Sequence, residues 1–469
     1  MEKLIGREKE QAELRRCYES ERSEFVVVYG RRRIGKTFLI NKVYGESLAF
    51  HFTGYHNAPK ERQLELFSKA LQQCGQLPVL PKLDNWYHAF DALEQVLSAR
   101  KPKGKKVLFF DEMPWVDTYN SGFVSALEGF WNAWAAQRDD VMLIACGSAT
   151  SWMADKLIEN QGGLYNRVTS KIYLRPFNLA ETEQYLRSHH CQWDRYAIVQ
   201  YYMYLGGVPY YMSLLDYRKS LEANIDELFF LPGARLANEF GDLYSVLFRD
   251  ADKYIQIVRT LAVHREGMNR QQIAATATNG GGLTKILENL ERCDFITSYQ
   301  QFGNKKKGII YRLTDFYTMF YLKFVEGVRQ RTSPYWYRRV LEPDILSWQG
   351  GAFETVGLIH IDPIMRRLGI NGMLNNVSAW RSSSGLQIDM VIDRSDRIIH
   401  LCEMKFSREA YEIGRDYEER LREKTATFRS ETKTRKALLT TFITTYGVKR
   451  NLHAGIVHDE VTMDDLFIV

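Results

Sequence analysis

Two groups of residues in this chain have the types and spacing to do chemistry on phosphates. The first is a complete phosphate-binding loop, Gly30-Arg31-Arg32-Arg33-Ile34-Gly35-Lys36-Thr37. In such a loop, backbone N–H groups surround the phosphates, the lysine reaches the β- and γ-phosphates, and the hydroxyl ligates Mg²⁺. The chemistry needs only the backbone of the three arginines, so we expect their side chains to be free. The predicted nucleotide-binding residues are Gly30, Ile34, Gly35, Lys36, Thr37 and Phe38.

A pair of carboxylates completes this first group. The apolar segment 107–110 is interpreted as a buried strand, and it ends in Asp111-Glu112, which we interpret as a Walker B motif. Asp111 is assigned to the Mg²⁺ water shell, and Glu112 to orienting the attacking water. Together the two motifs predict ATP hydrolysis with Mg²⁺ as cofactor.

Two further polar residues are candidates for the same reaction. Ser148 follows the apolar segment 141–146 and is placed to sense the γ-phosphate; the alternative is an ordinary N-cap of a helix over 152–158. Arg167 has the charge to stabilise the transition state, from this subunit or from a neighbouring one. Its alternative is a surface salt bridge.

The second group lies near the C-terminus. Asp389 interrupts the alternating segment 386–392, and Glu403 and Lys405 stand two apart in 397–405. Period-2 geometry directs Glu403 and Lys405 to the same face of a strand. With Glu354 from the preceding helix as a third carboxylate, these side chains have the chemistry to hold a divalent metal and position a water for attack on a phosphodiester. The alternative is a partly exposed strand with a salt-bridged pair.

Alternating strands and helices must position both groups. The strand 25–29 runs into the phosphate-binding loop and then into a helix over 37–44, and the strands 107–110 and 141–146 follow, so the spacing predicts an α/β fold with a parallel sheet. A chain of 469 residues with 45% hydrophobic residues is too long for one ordinary core, and several domains are expected.

Composition excludes some classes of protein. The longest apolar runs are far shorter than the roughly 20 residues of a membrane helix, and the N-terminal residues carry charges where a secretory signal is apolar. A cytoplasmic protein with no membrane partner is therefore expected. The six cysteines are scattered, which favours reduced thiols over a disulfide scaffold or zinc ribbon.

The net charge of +6 is concentrated in one stretch. Residues 301–340 carry nine basic and two acidic side chains, including Lys305, Lys306 and Lys307 and a basic linker over 329–339. Helices over 254–263, 268–274 and 283–292, then strands over 295–301 and 309–313 joined by a loop with the three lysines, have the spacing of a winged helix. This pattern predicts DNA as a partner. Glu288 and Glu291 on the third helix favour the alternative, a connector or protein-docking module.

The nucleotide-binding motifs resemble those of the archaeal-type ATPase family, a P-loop group similar to AAA+ and STAND ATPases. The resemblance is carried by the loop, by Phe110-Asp111-Glu112 and Cys146-Gly147-Ser148, and by the outer elements Ile5-Gly6-Arg7-Glu8 and Gly206-Gly207-Val208-Pro209. It covers roughly residues 1–245. It implies that Ile5, Gly6 and Arg7 contact the adenine side of the nucleotide, and that Pro209 belongs to a helical lid that closes on it. From the residues alone, 206–209 is only a helix terminator.

The C-terminal group resembles the PD-(D/E)XK nuclease superfamily, because Asp389 is followed by Glu403-x-Lys405. The placement is similar to the nuclease-like C-terminal domain often fused to archaeal-type ATPases. The resemblance implies catalytic roles for Asp389, Glu403 and Lys405, metal binding by Asp389, Glu403 and Glu354, and a second divalent metal, Mg²⁺ or Mn²⁺.

These expectations give four domains: a P-loop ATPase domain over 1–175, a helical lid over 176–248, a winged helix over 249–328 and a nuclease-like α/β domain over 329–469. The predicted function is ATP hydrolysis coupled to DNA binding or metal-dependent DNA cleavage. The alternative is a STAND-like nucleotide-switched scaffold that binds a protein partner or a second copy of the chain and has an inactive nuclease-like domain.

Overall fold

The computed structural model describes residues 3–100, 104–159, 162–277, 282–303, 308–328 and 334–468. It divides into two units, Met1–Arg175 and Pro176–Val469. The three lysines Lys305, Lys306 and Lys307, and Arg329 and Arg331 of the basic linker, lie outside the described residues.

The first unit is built on a parallel sheet of five strands in the order β2-β3-β4-β1-β5. Its β3 and β4 are buried along their whole length, as expected for strands covered on both faces. The order places the C-terminal ends of β3, β4 and β1 side by side. The strands are β1 (Glu24–Tyr29), β2 (Leu48–Thr53), β3 (Lys106–Asp111), β4 (Val141–Gly147) and β5 (Ser170–Tyr173).

Helices cover both faces of this sheet and form two apolar cores. One core packs α3, α4 and α5 on one face, where Phe67, Trp86 and Phe110 are in contact; the other packs α1 and α2 on the opposite face. The predicted α/β fold with a parallel sheet is confirmed. The helices are α1 (Glu8–Glu19), α2 (Lys36–Tyr44), α3 (Lys60–Gly75), α4 (Trp86–Ala99), α5 (Phe123–Ala133) and α6 (Thr150–Met153).

The second unit begins with helices and continues into a three-stranded sheet. The helices are α7 (Leu179–Ser188), α8 (Arg195–Leu205), α9 (Pro209–Met212), α10 (Leu221–Ile225), α11 (Glu239–Leu247), α12 (Ala251–Val263), α13 (Arg270–Ala277), α14 (Leu283–Arg292), α15 (Phe316–Phe320) and α16 (Trp336–Arg339). The strands β6 (Met268–Asn269), β7 (Ile296–Gln300) and β8 (Ile309–Leu313) pair antiparallel in the order β6-β8-β7. The predicted strand 295–301 is thus β7 without its two end residues.

A mixed five-stranded sheet ends the second unit, in the order β13-β12-β11-β10-β9. The pairs β9/β10 and β10/β11 are antiparallel, and β11/β12 and β12/β13 are parallel. The elements are α17 (Pro343–Ile359), α18 (Ile361–Arg367), β9 (Asn375–Arg381), β10 (Gln387–Arg394), β11 (Ile398–Lys405), α19 (Arg415–Thr432), β12 (Ala437–Thr444) and β13 (Asp459–Thr462). The helix predicted around 348–361 is α17, which begins at Pro343 because proline suits the first helical turn.

All six cysteines are buried and free, as the sequence predicts. Within the described ranges, no helix combines the length and the apolar character needed to cross a membrane.

Candidate functional site

The phosphate-binding loop connects β1 to α2, and its shape depends on two glycines. Gly30 has φ +147°, and a Cβ at this position would lie 2.2 Å from the carbonyl oxygen of Leu174. Gly35 has φ +88° and is the N-cap of α2. Only glycine adopts such backbone conformations without strain. The loop therefore presents its backbone at the N-terminus of α2, as an anion site requires.

The lysine of the loop is buried, with 5% of its side chain exposed. Its ammonium donates hydrogen bonds to the carbonyl oxygens of Gly30 at 3.0 Å and Arg31 at 2.8 Å. Phosphate oxygens would take the place of these acceptors. The expectation of free arginine side chains is wrong for Arg31, which is only 2% exposed and packs inside the unit. Ile34 is also buried in the core, and Phe38 is partly buried in the first turn of α2.

The predicted Mg²⁺ residues meet at the C-terminal edge of the sheet. Thr37 opens α2, Asp111 ends β3, and the Thr37 hydroxyl donates to Asp111 Oδ2 at 2.8 Å. A hydroxyl beside a carboxylate is a hard-oxygen donor pair, which suits Mg²⁺. This contact joins residues 74 positions apart, and it brings the phosphate-binding loop and the Walker B strand together.

The predicted water-orienting residue is held by the predicted sensor. Ser148, 1% exposed, donates its hydroxyl to Glu112 Oε2 at 2.8 Å and its backbone N–H to the same oxygen at 3.2 Å. Ser148 is not a helix N-cap: α6 begins at Thr150 with Ala149 as the cap residue. The predicted helix 152–158 is α6 followed by a π-helical turn over Ala154–Ile158. Ser148 therefore contacts Glu112, the predicted water-orienting residue, directly.

Arg167 is exposed in the segment that leads to β5. Within the described ranges its side chain forms no ion pair, so the surface salt bridge is not seen. At the start of the chain, Ile5 is buried and Gly6 and Arg7 have φ values of +63° and +64°. The Arg7 guanidinium donates to the carbonyl oxygens of Arg175 at 2.7 Å and Ile34 at 3.4 Å. Arg7 thus ties the opening segment to the back of the phosphate-binding loop.

The segment 206–209 is a helix terminator, as its residues indicate. Gly206 ends α8 with φ +66°, and Pro209 is the first residue of α9. A Cβ on Gly207 would lie 1.8 Å from the carbonyl oxygen of Phe177, and the Phe177 N–H donates to Gly207 O at 2.7 Å. The close approach of two backbones therefore explains the second glycine. The lid role of Pro209 stays a prediction.

In the second unit, the fold brings together the C-terminal candidates. Asp389 on β10 accepts a hydrogen bond from the backbone N–H of Met404 on β11 at 2.8 Å, and Lys405 Nζ lies 3.5 Å from Glu403 Oε2. Burial, then the charges of Glu403 and Glu354, raise the pKa of Asp389 to about 7. Burial by itself would lower the pKa of Lys405, but Asp389 and Glu403 raise it above its ordinary value. The four predicted side chains therefore form one cluster.

Glu403 already has two partners that the sequence did not predict. Its Oε1 accepts from the Lys424 ammonium, and its Oε2 accepts from the Tyr417 hydroxyl at 2.7 Å. Glu403 is 2% exposed and Lys424 is 8% exposed. Both partners lie on α19, two turns apart on its buried face. The sequence did contain one signal for this pairing: Lys424 lies on the same helix face as the apolar residues Leu421 and Phe428, which indicates a buried lysine.

The third carboxylate is also paired. α17 approaches β11 closely at Gly357, where a Cβ would lie 2.5 Å from Met404 Sδ. This packing sets Glu354 beside the cluster, where its Oε2 accepts from Arg312 of β8 at 3.2 Å. Arg312, 5% exposed, also donates to the Gly351 carbonyl oxygen at 3.3 Å. Nothing in the sequence linked Arg312 to the cluster.

No three acidic, histidine or cysteine side chains of the described residues stand in an arrangement ready to hold a metal. Protein cations contact Glu403 and Glu354 in this arrangement. The donor chemistry still fits a divalent cation at Asp389 and Glu403, because both supply carboxylate oxygens and Asp389 has no ion-pair partner among the described side chains.

The helices before the three-stranded sheet present a mixed surface. On α14 the exposed residues include Thr284, Lys285 and Glu288, while Leu283, Ile286, Leu287 and Leu290 are buried. Glu291 accepts from the backbone N–H of Ser298 at 2.9 Å, so this acid is committed to β7. Of the two glutamates that argued against phosphate contact, Glu288 is exposed and Glu291 is partly buried.

A protein-family model matches the part of the chain that contains the phosphate-binding loop and Asp111. Residues 4–215 match the model of a family described as an ATPase domain predominantly from Archaea. This part of the chain is therefore similar to the archaeal-type ATPase domain, a similarity that supports nucleotide binding and ATP hydrolysis. An uncharacterized protein of Methanocaldococcus jannaschii, MJECL04, is 24% identical over 332 residues, 69% of each chain.

Solved structures with a similar fold include two archaeal proteins. The Walker-type ATPase PABY2304 of Pyrococcus abyssi is 18% identical, with a TM-score of 0.48, covering 68% of this chain and 96% of that one. The Aeropyrum pernix ORC2 protein, in ADPNP–ADP complexes, is 16% identical, with a TM-score of 0.41, covering 68% and 93%.

Proposed function

We propose that this protein is a Mg²⁺-dependent ATPase that couples its nucleotide state to the engagement of DNA by its C-terminal half. The observation that carries the ATPase part is the contact of Thr37 with Asp111 beside a buried Lys36. Thr37 and Asp111 would hold Mg²⁺, which supplies charge neutralisation for the β- and γ-phosphates. Lys36 exchanges its loop carbonyl acceptors for phosphate oxygens, and Glu112 orients the attacking water.

Two substitutions test this mechanism. Lys36→Ala should abolish ATP binding, while Lys42→Ala, an exposed lysine on the same helix, should bind as the wild type does. Glu112→Gln should keep ATP binding and lose turnover by about 10²- to 10⁴-fold. Hydrolysis at the wild-type rate in Glu112→Gln would refute the role of Glu112.

We further propose that residues 329–469 form a nuclease-like domain. Support comes from the element order α17-α18-β9-β10-β11-α19-β12, with Asp389 and Glu403 on adjacent strands and Lys405 beside them. Asp389 and Glu403 would hold a divalent cation, which polarises a phosphodiester and activates water. Metal-dependent nicking of plasmid DNA should disappear in Asp389→Ala and Lys405→Ala and persist in Asp396→Ala, an exposed aspartate between the same strands.

Residues 249–328 are proposed to be a winged helix that contacts DNA. Three helices, α12, α13 and α14, precede the hairpin β7–β8, and β6 pairs with that hairpin, which is the element order expected for this fold. Replacing Lys305, Lys306 and Lys307 should weaken DNA binding and flatten its salt dependence. If DNA neither binds at low salt nor stimulates hydrolysis, the proposed coupling is wrong.

A second candidate function is a nucleotide-switched scaffold with a C-terminal domain that does not cleave. The observation that favours it is that Lys424 and Arg312 already neutralise Glu403 and Glu354. Plasmid that stays intact with Mg²⁺ and with Mn²⁺, at protein concentrations where DNA is bound, would favour this function over the nuclease.

A further inference from the structure

A cleft of about 580 Å³ lies in the second unit between the three-stranded sheet and the edge of the mixed sheet. The two sheets join at one end, where Gln301 bridges to Ala379 and the Phe302 N–H donates to Ala379 O at 2.8 Å. Asp389 lines the cleft. The cleft therefore leads to the carboxylate cluster.

Neutral hydrogen-bonding groups dominate the polar lining of the cleft. Six side-chain amides line it: Asn269, Gln272, Gln300, Gln301, Asn376 and Gln387. The charged lining residues balance, because Glu266 and Asp389 are matched by Arg312 and Arg381, and Arg381 lies 3.9 Å from Glu266. Such a cleft selects a ligand by hydrogen bonds more than by charge. Amide side chains offer a donor and an acceptor together, which matches the edges of nucleobases.

A buried hydroxyl in this cleft has no partner. Ser378 on β9 is 3% exposed, and within the described part of the chain its Oγ makes no hydrogen bond. Ser378 lines the cleft beside Asn376 and Trp380. An unsatisfied buried hydroxyl costs stability, so a ligand that contacts Ser378 would satisfy it.

We propose that this cleft binds unpaired nucleotides of a single nucleic-acid strand and leads that strand to Asp389. The volume is that of a small-ligand site, enough for roughly one or two nucleotides and far too small for a double helix. The amides bind base edges, and Ser378 and Arg312 are the donors for the backbone. This inference rests on the proposed nuclease role of the cluster and assigns its substrate class, a strand with an unpaired segment.

The test measures binding without cleavage. Full-length protein in EDTA is titrated into a fluorescein-labelled single-stranded DNA, and into the blunt duplex of the same sequence, and anisotropy is recorded. The single strand should bind at least several-fold tighter than the duplex. Gln300→Trp, which fills the cleft from an exposed position on β7, should remove this preference, whereas Gln192→Trp, exposed in the loop before α8 and outside the cleft, should keep it.

The Ser378→Ala variant separates a binding role from a structural one. It removes an unpartnered hydroxyl, so the melting temperature should stay the same or rise, while single-strand affinity falls several-fold. Equal affinity for both DNA forms, or unchanged affinity in both Ser378→Ala and Gln300→Trp, would overturn the proposal. A mononucleotide that displaces the labelled strand as well as the unlabelled oligonucleotide does, measured on Lys36→Ala to silence the ATP site, would overturn the assignment to a strand.

The same measurements distinguish failure of the cleft from failure of the nuclease. Binding is measured in EDTA and therefore does not depend on cleavage. If Gln300→Trp removes the preference for single strands, the cleft proposal is supported. This holds even if plasmid nicking survives in Asp389→Ala, a result that would refute only the nuclease proposal. A different result would refute only the cleft proposal. In that case nicking depends on Asp389, but Gln300→Trp binds and cleaves DNA as the wild type does, so the nuclease proposal stands.

Discussion

A buried histidine links the helix that carries Glu354 to the start of the helical segment of the second unit. His360 caps the C-terminus of α17 and is 3% exposed. Its Nε2 accepts from the backbone N–H of Leu179 at 3.0 Å, and its Nδ1 lies 2.9 Å from the Val356 carbonyl oxygen, to which Nδ1–H donates. Both contacts need the neutral ring, since a protonated Nε2 cannot accept.

Burial lowers the pKa of His360 from about 6.5 to about 4. Between these two values the unfolded chain binds a proton that the folded chain does not, so the free energy of unfolding falls as the pH falls. The stabilisation is complete above about pH 6.5 and is lost by about pH 4. The gap between the two pKa values corresponds to about 3 kcal/mol in total, of which about 2 kcal/mol is lost by pH 5.

Hydrogen exchange of peptides from α7 and α17 measures this effect. Wild type is compared with His360→Gln, which keeps an acceptor near Leu179 but does not titrate, at about pH 7 and at about pH 5. At each pH the two proteins share the same intrinsic exchange rates. We expect the opening free energy of the wild type to fall by about 2 kcal/mol relative to the variant. Peptides from β3 and β4 in the first unit serve as internal controls. Equal pH dependence in both proteins would refute the role of His360.

Three substitutions test other contacts. Gly30→Ala puts a Cβ 2.2 Å from the Leu174 carbonyl oxygen; it should cost about 1–3 kcal/mol and abolish ATP binding, whereas Gly45→Ala, with no atom within 4 Å, should do neither, as calorimetry with ATP will show. Ser148→Ala removes a hydrogen bond to a carboxylate and should lower kcat about ten- to hundredfold with little change in KM; failure of Ser148→Thr to restore kcat would count against the hydroxyl. Lys424→Met removes one of the two cations beside the buried Glu403 and leaves Lys405, so it should destabilise the second unit by about 1.5–3 kcal/mol in urea unfolding, and a cost below about 1 kcal/mol would show that the Lys424 pair is not essential.

The nucleotide site was predictable because its signals are local. The spacing of Gly30, Gly35 and Lys36 defines the loop, and the apolar run before Asp111 defines a strand whose end must lie near it. The contact of Ser148 with Glu112 was not predictable, since motif spacing does not specify which side chain accepts the Ser148 hydroxyl. Burial of Arg31 escaped prediction for a related reason: motif spacing describes the backbone of the loop and says nothing about where its side chains pack.

The C-terminal cluster was predictable only in part. Alternation along β10 and β11 indicates that Asp389 and Glu403 interrupt apolar strands, and an acid there requires compensation. The compensating groups come from elsewhere in the unit: Lys424 lies 21 residues from Glu403, and Arg312 lies 42 residues from Glu354. The packing of α19 and β8 supplies these partners. The periodicity of β10 and β11 does not indicate which other elements pack against them.

The pairing in this cluster constrains how a metal would enter it. Three carboxylates, of Glu354, Asp389 and Glu403, face three cations, of Arg312, Lys405 and Lys424. A divalent cation added to this balanced set would bring uncompensated charge into a largely buried site, which is costly. A phosphodiester beside the metal would offset part of that charge, so metal and nucleic acid should each raise the affinity for the other. Mn²⁺ binding by the free protein as tight as in the presence of single-stranded DNA, measured by calorimetry on Asp111→Ala to silence the nucleotide site, would contradict this coupling.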